Sequence, residues 1–176
     1  PIMGLVELYY ITGDAAYRSA FERIWWSIVR SDRHNNGGFS SGEKASGNPY
    51  DRGAIETCCT IAWTALSVDM LRLTGEAPVG DELERSLLNG VAGAQHPSGR
   101  WWTYNTPMDG VRQASAHTIV FQSRAGTPEL NCCSVNAPRG LGLLSEWAVM
   151  RAADGIVLNH YGPHSVEMQL KVGPRV

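Results

Sequence analysis

Long apolar runs are missing from this sequence: no stretch approaches the roughly 18 consecutive apolar residues that a spanning helix needs, so no membrane partner is expected. No basic-then-apolar leader precedes the first apolar pattern, and none is expected to direct export. An excess of one charge is missing too. Fifteen Lys and Arg against seventeen Asp and Glu leave a formal charge of -2, which excludes the electrostatic footprint of a nucleic-acid or anionic-lipid binder. A small neutral or sugar-like partner suits such a surface better. There is no Cys-x-x-Cys pair and no obvious pair of catalytic carboxylates. Against these absences stand 176 residues with 43% hydrophobic and 18% charged, enough for a real core and incompatible with collagen, coiled coil or disorder. Nineteen glycines and six tryptophans are the unusual surplus, suited to glycine-rich loops around aromatic walls, or simply to turns and core filling.

The periodicity is mainly helical. Leu5, Val6, Leu8 and Tyr9 predict a helix stopped at Gly13. Asp14 then caps a second helix whose buried stripe is Tyr17, Phe21, Ile24, Trp25 and Ile28. A third helix runs from about Cys59 to Leu73 and ends in Leu73-Thr74-Gly75-Glu76, echoing Ile11-Thr12-Gly13-Asp14 sixty-two positions earlier. Two helical hairpins turning on Thr-Gly-acid suggest the stacked hairpins of a solenoid or closed toroid. Between them lies a polar, glycine-rich segment, Ser31 to Gly53, of a length usually kept for function. Asp81 to Val91 reads as another helix, Pro97-Ser98-Gly99 as a turn, and Trp101 to Tyr104 as an aromatic strand or wall. Asn136 is expected to cap a helix with Pro138 near its start. Alternation at residues 156–161 and 166–172 predicts strands with one wet face. The chain opens without an initiator methionine and closes just after that strand pattern, so it reads as an internal piece whose missing remainder completes the fold. Its compartment is unreadable.

All four cysteines fall in two doublets, Cys58-Cys59 and Cys132-Cys133. Neighbouring residues sit about 3.8 Å apart at Cα, below the roughly 4.4 to 6.8 Å that disulfides span, so a bridge within a doublet would be strained. Bridges between doublets, plain buried thiols and a metal site all remain open. For the last, Glu56, Cys58, Cys132 and Cys133 supply a carboxylate and three soft thiolates of the kind that select zinc. The Glu-x-Cys spacing places Glu56 and Cys58 just before or in the first turn of the third helix, where the helix N-terminus favours anions.

The motifs together resemble glycoside hydrolase family 127, the β-L-arabinofuranosidase family. They comprise residues 8–14, Gly37-Gly38, Gly42-Glu43, Glu56-Thr57-Cys58, residues 102–107, Cys132-Cys133 with Asn136, and Asp154-Gly155-Ile156. The resemblance implies part of an (α/α)6 barrel over residues 1–153 and the start of a β-sandwich over 154–176. It implies zinc held by Glu56, Cys58, Cys132 and Cys133, with Cys132 as nucleophile and Glu43 as general acid/base in a retaining hydrolysis of a carbohydrate substrate. Glu43 would then need partial burial or a nearby negative charge to act as an acid. Ser134-Val135 stand where the family carries prolines, the stretch from Glu43 to Glu56 is shorter than in the family, and Cys59 matches no family role. Trp102 and Tyr104 are candidates for stacking on a sugar and His34 and His117 for binding its hydroxyls. Core packing and satisfied polar residues are the plain alternatives. A non-catalytic carbohydrate-binding toroid with structural zinc, and a histidine-dependent epimerase or lyase, are the competing functions.

Overall fold

The computed structural model describes residues 2–107 and 131–169. His117 and residues 170–172 of the second strand pattern lie outside them. In order, the elements are α1 (Met3–Thr12), α2 (Ala15–Ser31), β1 (Ile55–Glu56), α3 (Thr57–Thr74), α4 (Ala77–Arg85), β2 (Asn105–Thr106), α5 (Cys132–Gly142), α6 (Leu144–Trp147), β3 (Val149–Arg151) and β4 (Ile156–Leu158).

The echoed Thr-Gly-acid turns are the same structure twice. Thr12 Oγ1 donates to the Leu8 carbonyl at 2.7 Å and Thr74 Oγ1 to that of Met70 at 2.8 Å. Gly13 and Gly75 take the left-handed conformation, with φ of 71° and 65°, that lets each helix end on a satisfied carbonyl. The next acidic residue then donates its N–H back to the threonine hydroxyl, Asp14 at 3.2 Å and Glu76 at 3.3 Å. The result is two helical hairpins, α1–α2 and α3–α4, set side by side as in a segment of a helical toroid.

Helix α3 is buried on several faces and organises the rest. Trp63 stacks on Trp25 of α2 with ring centroids 5.2 Å apart, and the Trp25 indole donates to Ser67 Oγ at 3.0 Å. On another side α5 comes close because Gly140 has no side chain: a Cβ there would lie 2.5 Å from Ile61 Cδ1. These aromatic and aliphatic groups form a main core on α1, α2, α3 and α4, with a smaller cluster of Ile61, Val91, Ala94, Trp102 and Ala137 beneath α5.

Several expectations are corrected. Helix α4 begins earlier than Asp81, with proline in its first turn, and does not continue evenly to Val91; residues 86–91 widen into a π-helical turn and 92–94 tighten into a 3-10 turn. Trp101 to Tyr104 form only an isolated bridge, Trp102 with Gln95, while the ladder lies just beyond, where β2 pairs antiparallel with β1. The cap of α5 is Asn131, not Asn136: its side chain accepts the Ser134 N–H at 3.0 Å from an extended backbone, so the helix starts at Cys132 and holds Pro138 in its interior. At the C-terminal end β3 and β4 form an antiparallel hairpin that straddles the boundary expected between residues 153 and 154. Ile156, Val157 and Leu158 are all exposed, so the expected buried face is not present there, and residues 159–169 are not strand.

Candidate metal centre and the Glu43 turn

Two helix N-termini converge on the cluster. Glu56 is the N-cap of α3, its Oε2 accepting the Cys59 N–H at 2.8 Å, and Cys58 lies in the first turn. Cys132 and Cys133 open α5. The partial positive charge of both ends therefore faces three thiols and a carboxylate. One ligand atom from each of Glu56, Cys58, Cys132 and Cys133 lies within 4.8 Å of every other, an arrangement that can hold a metal ion. Cys58 Sγ stands 3.8 Å from Cys132 Sγ, the paired thiols of Cys132 and Cys133 are 4.0 Å apart, and Cys133 Sγ donates to Glu56 Oε1 at 3.3 Å. All four cysteines are free thiols, and Cys132 is the most exposed of them.

The electrostatics show what such crowding does. Contact with Cys133 holds the Cys58 thiol below its ordinary pKa, and the same contact, followed by burial, drives Cys133 upward. Burial and then the charge on Cys58 raise Cys132. Three thiols and a carboxylate this close cannot all ionise together unless a cation joins them. Cys59 is not one of the set: burial, then its contact with Glu56, pushes it up to about 12.

Glu43 sits on a different kind of support. Ser41 and Lys44 exchange both backbone hydrogen bonds, 2.9 and 3.3 Å, closing a two-residue hairpin turn on Gly42 and Glu43. Both central residues have positive φ, 58° and 66°, as the tight hairpin turn requires. A glutamate tolerates this poorly. Of the two conditions expected for it, partial burial is not met, since Glu43 is exposed; its Oε1 accepts the Tyr104 hydroxyl at 2.6 Å.

The softer candidates are placed as follows. Trp102 is buried in the smaller core, its indole donating to the Val91 carbonyl at 3.1 Å. Tyr104 is 4% exposed, so its ring faces are covered. His34 is fully buried inside the glycine-rich loop, where Nε2 lies 3.0 Å from Ser41 Oγ and 3.2 Å from the Ser40 carbonyl. Two contributors, Asn131 and Ser134, had no role assigned from the sequence, and Asn136, part of the cysteine-pair motif, was expected there as the cap. Asn136, one turn beyond Cys132, helps hold the Cys58 thiol below its ordinary pKa. Asn131 caps α5, and Ser134 Oγ both accepts the Trp102 N–H and donates to its carbonyl, each at 3.0 Å. An Asn three positions before a Ser, at the doublet, was the available signal for that cap.

Known proteins share this sequence pattern and this fold. The family model described as "Beta-L-arabinofuranosidase, GH127 catalytic domain" matches residues 2–145. A non-reducing end β-L-arabinofuranosidase of Bifidobacterium longum subsp. longum is 24% identical over 168 residues, covering 89% of this chain and 25% of its own. The crystal structure of a GH127 β-L-arabinofuranosidase from Geobacillus stearothermophilus T6 superposes with a TM-score of 0.75 at 19% identity, over 97% of this chain and 28% of that one. A second solved GH127 β-arabinofuranosidase gives 0.76 at 24% identity, over 96% of this chain and 26% of its own. This chain thus spans about a quarter of the length of these relatives. With the Glu-x-Cys segment and the cysteine pair folded together at the heart of the fold, and the match running over residues 2–145, the chain belongs to glycoside hydrolase family 127.

Proposed function

We propose that the protein is a retaining glycoside hydrolase acting on non-reducing-end β-L-arabinofuranosides or a closely related glycan sugar, with Cys132 as nucleophile and Glu43 as acid/base. The observation that carries this reading is the placement of Cys132: among the four clustered ligands it is the most exposed thiol, at a helix N-terminus, able to face a substrate. The relatives named above as β-L-arabinofuranosidases supply the sugar.

The donor set supports zinc as the resident metal. Zinc–sulfur bonds of about 2.3 Å put tetrahedral sulfurs roughly 3.8 Å apart, against the 3.8 and 4.0 Å between the thiols here. Glu56, Cys58, Cys132 and Cys133 would hold it, and the ion would keep thiols ionised that otherwise crowd one another into protonation.

The residues then divide the work. Cys132 Sγ attacks the anomeric carbon and forms a carbon–sulfur bond as the bond to the leaving oxygen breaks, Glu43 delivering its proton to that oxygen. Water then gives a proton to the Glu43 carboxylate and attacks the same carbon, the carbon–sulfur bond breaks, and the thiolate returns. Two inversions retain the configuration. Sulfur takes the place of the second carboxylate, which accounts for the lack of a carboxylate pair.

The test is hydrolysis of a panel of arabinofuranosides and related glycosides by the purified protein, with product stereochemistry followed by NMR and metal content measured in parallel. Retention of configuration, about one zinc per chain, and loss of turnover in Cys132→Ala with most of the zinc still bound are expected. Unchanged turnover in that variant would overturn the proposal, whereas sugar binding without turnover in the wild type would favour a binding toroid with structural zinc.

A further inference from the structure

Glu43 presents a physical problem. It is exposed on a two-residue turn, and a glutamate side chain there is free to sample several rotamers, whereas a group that hands a proton to one oxygen must be held. The turn beneath it is fixed: His34 bonds Ser41 from below, and Gly53 packs so closely that a Cβ on it would lie 2.8 Å from the Ser41 carbonyl carbon. What remains loose is the carboxylate itself.

Tyr104 meets that need from the other side. Its ring is buried and has only two side-chain torsions, and its hydroxyl donates to Glu43 Oε1 at 2.6 Å. Its backbone carbonyl accepts the N–H of Thr57 at 2.9 Å, the residue between Glu56 and Cys58. Thr57 Oγ1 fixes the same segment by donating to the Thr103 carbonyl at 2.7 Å. One residue thus touches the acid with its side chain and the metal-ligand segment with its backbone. Burial first, then the contact with Glu43, raises the phenol well above its ordinary range, so it keeps its proton and remains a donor.

Resting on the function proposed above, we infer that Tyr104 is a positioning residue for the reaction: it fixes the Glu43 carboxylate in register with Cys132, rather than stacking on the sugar. In the first step the proton passes from Glu43 to the leaving oxygen, and the Tyr104 hydroxyl, keeping its own proton, hydrogen-bonds the carboxylate that is left.

Tyr104→Phe in the purified protein tests this through leaving-group dependence. Poor leaving groups need the acid, and nitrophenolate needs it far less. The loss in kcat/KM should be at least tenfold larger for an alkyl or disaccharide arabinofuranoside than for the p-nitrophenyl one. Equal losses on both substrates would overturn the inference, because a ring that touches the sugar or merely supports the fold does not distinguish leaving groups. A thermal-stability cycle with Glu43→Ala supplies a readout independent of turnover: the fall in Tm caused by Tyr104→Phe should shrink clearly when Glu43 is already alanine. Additive falls would also overturn it. Should the wild type cleave no glycoside at all, the functional reading fails by itself, and the cycle still decides whether Tyr104 holds Glu43.

Discussion

At the scale of single residues, chemistry and backbone comfort pull against each other at Glu43. Its φ of 66° lies in the left-handed region, which costs a residue with a Cβ roughly 1–2 kcal/mol. Among the described residues the other non-glycine with positive φ is Ser40, three positions earlier in the same loop. Strain of this kind persists where surrounding structure holds it, and here His34, Gly53 and Tyr104 do so. The strain makes a prediction that inverts the usual ranking of glycine and alanine. Both Glu43→Gly and Glu43→Ala lose the bond to Tyr104, so comparing them isolates the backbone. Glu43→Gly should be more stable than Glu43→Ala by about 1 kcal/mol, measured from urea midpoints, and both should lose acid-dependent turnover. Alanine proving the more stable of the two would show that the turn relaxes in solution.

At the scale of elements, the cap of α5 decides where the cysteine pair points. Asn131 accepts the Ser134 N–H, and Ser134 in turn clamps Trp102, so the first turn of α5 is tied to the segment that leads to Tyr104. Asn131→Ala should cost about 1 kcal/mol of stability and weaken metal binding roughly tenfold, the lower end of what supporting partners of ligands contribute. A competition titration against a chelator reads the second effect; unchanged affinity would mean that the helix start is set by packing alone. This element also shows what was legible in the sequence. The stripe of α2, the paired Thr-Gly-acid turns and the N-terminal position of Glu56 and Cys58 all follow from local rules, because caps and periodicity act within a turn or two. The misplaced cap at Asn136, the π-helical turn at 86–91 and the hydrogen bond from Tyr104 to Glu43 depend on residues far apart in sequence. Gly37 illustrates the reason: a Cβ on it would lie 2.8 Å from the Ser86 backbone nitrogen, so the loop and the π-helical turn shape each other. Trp102 and Tyr104 were singled out as aromatic, but only the fold says that one fills a core and the other reaches an acid.

At the scale of the whole molecule, the cluster joins regions that the chain keeps apart. Cys58 and Cys132 are separated by 74 positions and belong to α3 and α5, which already pack through Gly140 and Ile61. A metal bound by both segments closes that long loop and removes crowding among four acidic groups, so its binding free energy adds to the stability of the folded chain. At a free metal concentration near 100 times Kd the added stability is about 2.7 kcal/mol. Chelation should therefore lower the unfolding midpoint of the purified protein, and zinc should restore it. The sign with pH follows from ligand chemistry: each thiol must lose its proton to bind, so the metal-dependent part of stability is largest at neutral to mildly alkaline pH and shrinks as pH falls. Urea unfolding with and without chelator at pH 7.5 and 5.5 measures this directly, and the gap between the two curves should narrow at the lower pH. Cys133→Ser, which removes the most deeply buried sulfur of the set, should narrow it at both pH values. A gap that is absent at pH 7.5 would mean that α3 and α5 hold together by packing alone, with the four ligands drawn together by the fold and no metal contributing to its stability, whereas a gap equal at both pH values would mean that the ion is not held by thiols that must lose a proton.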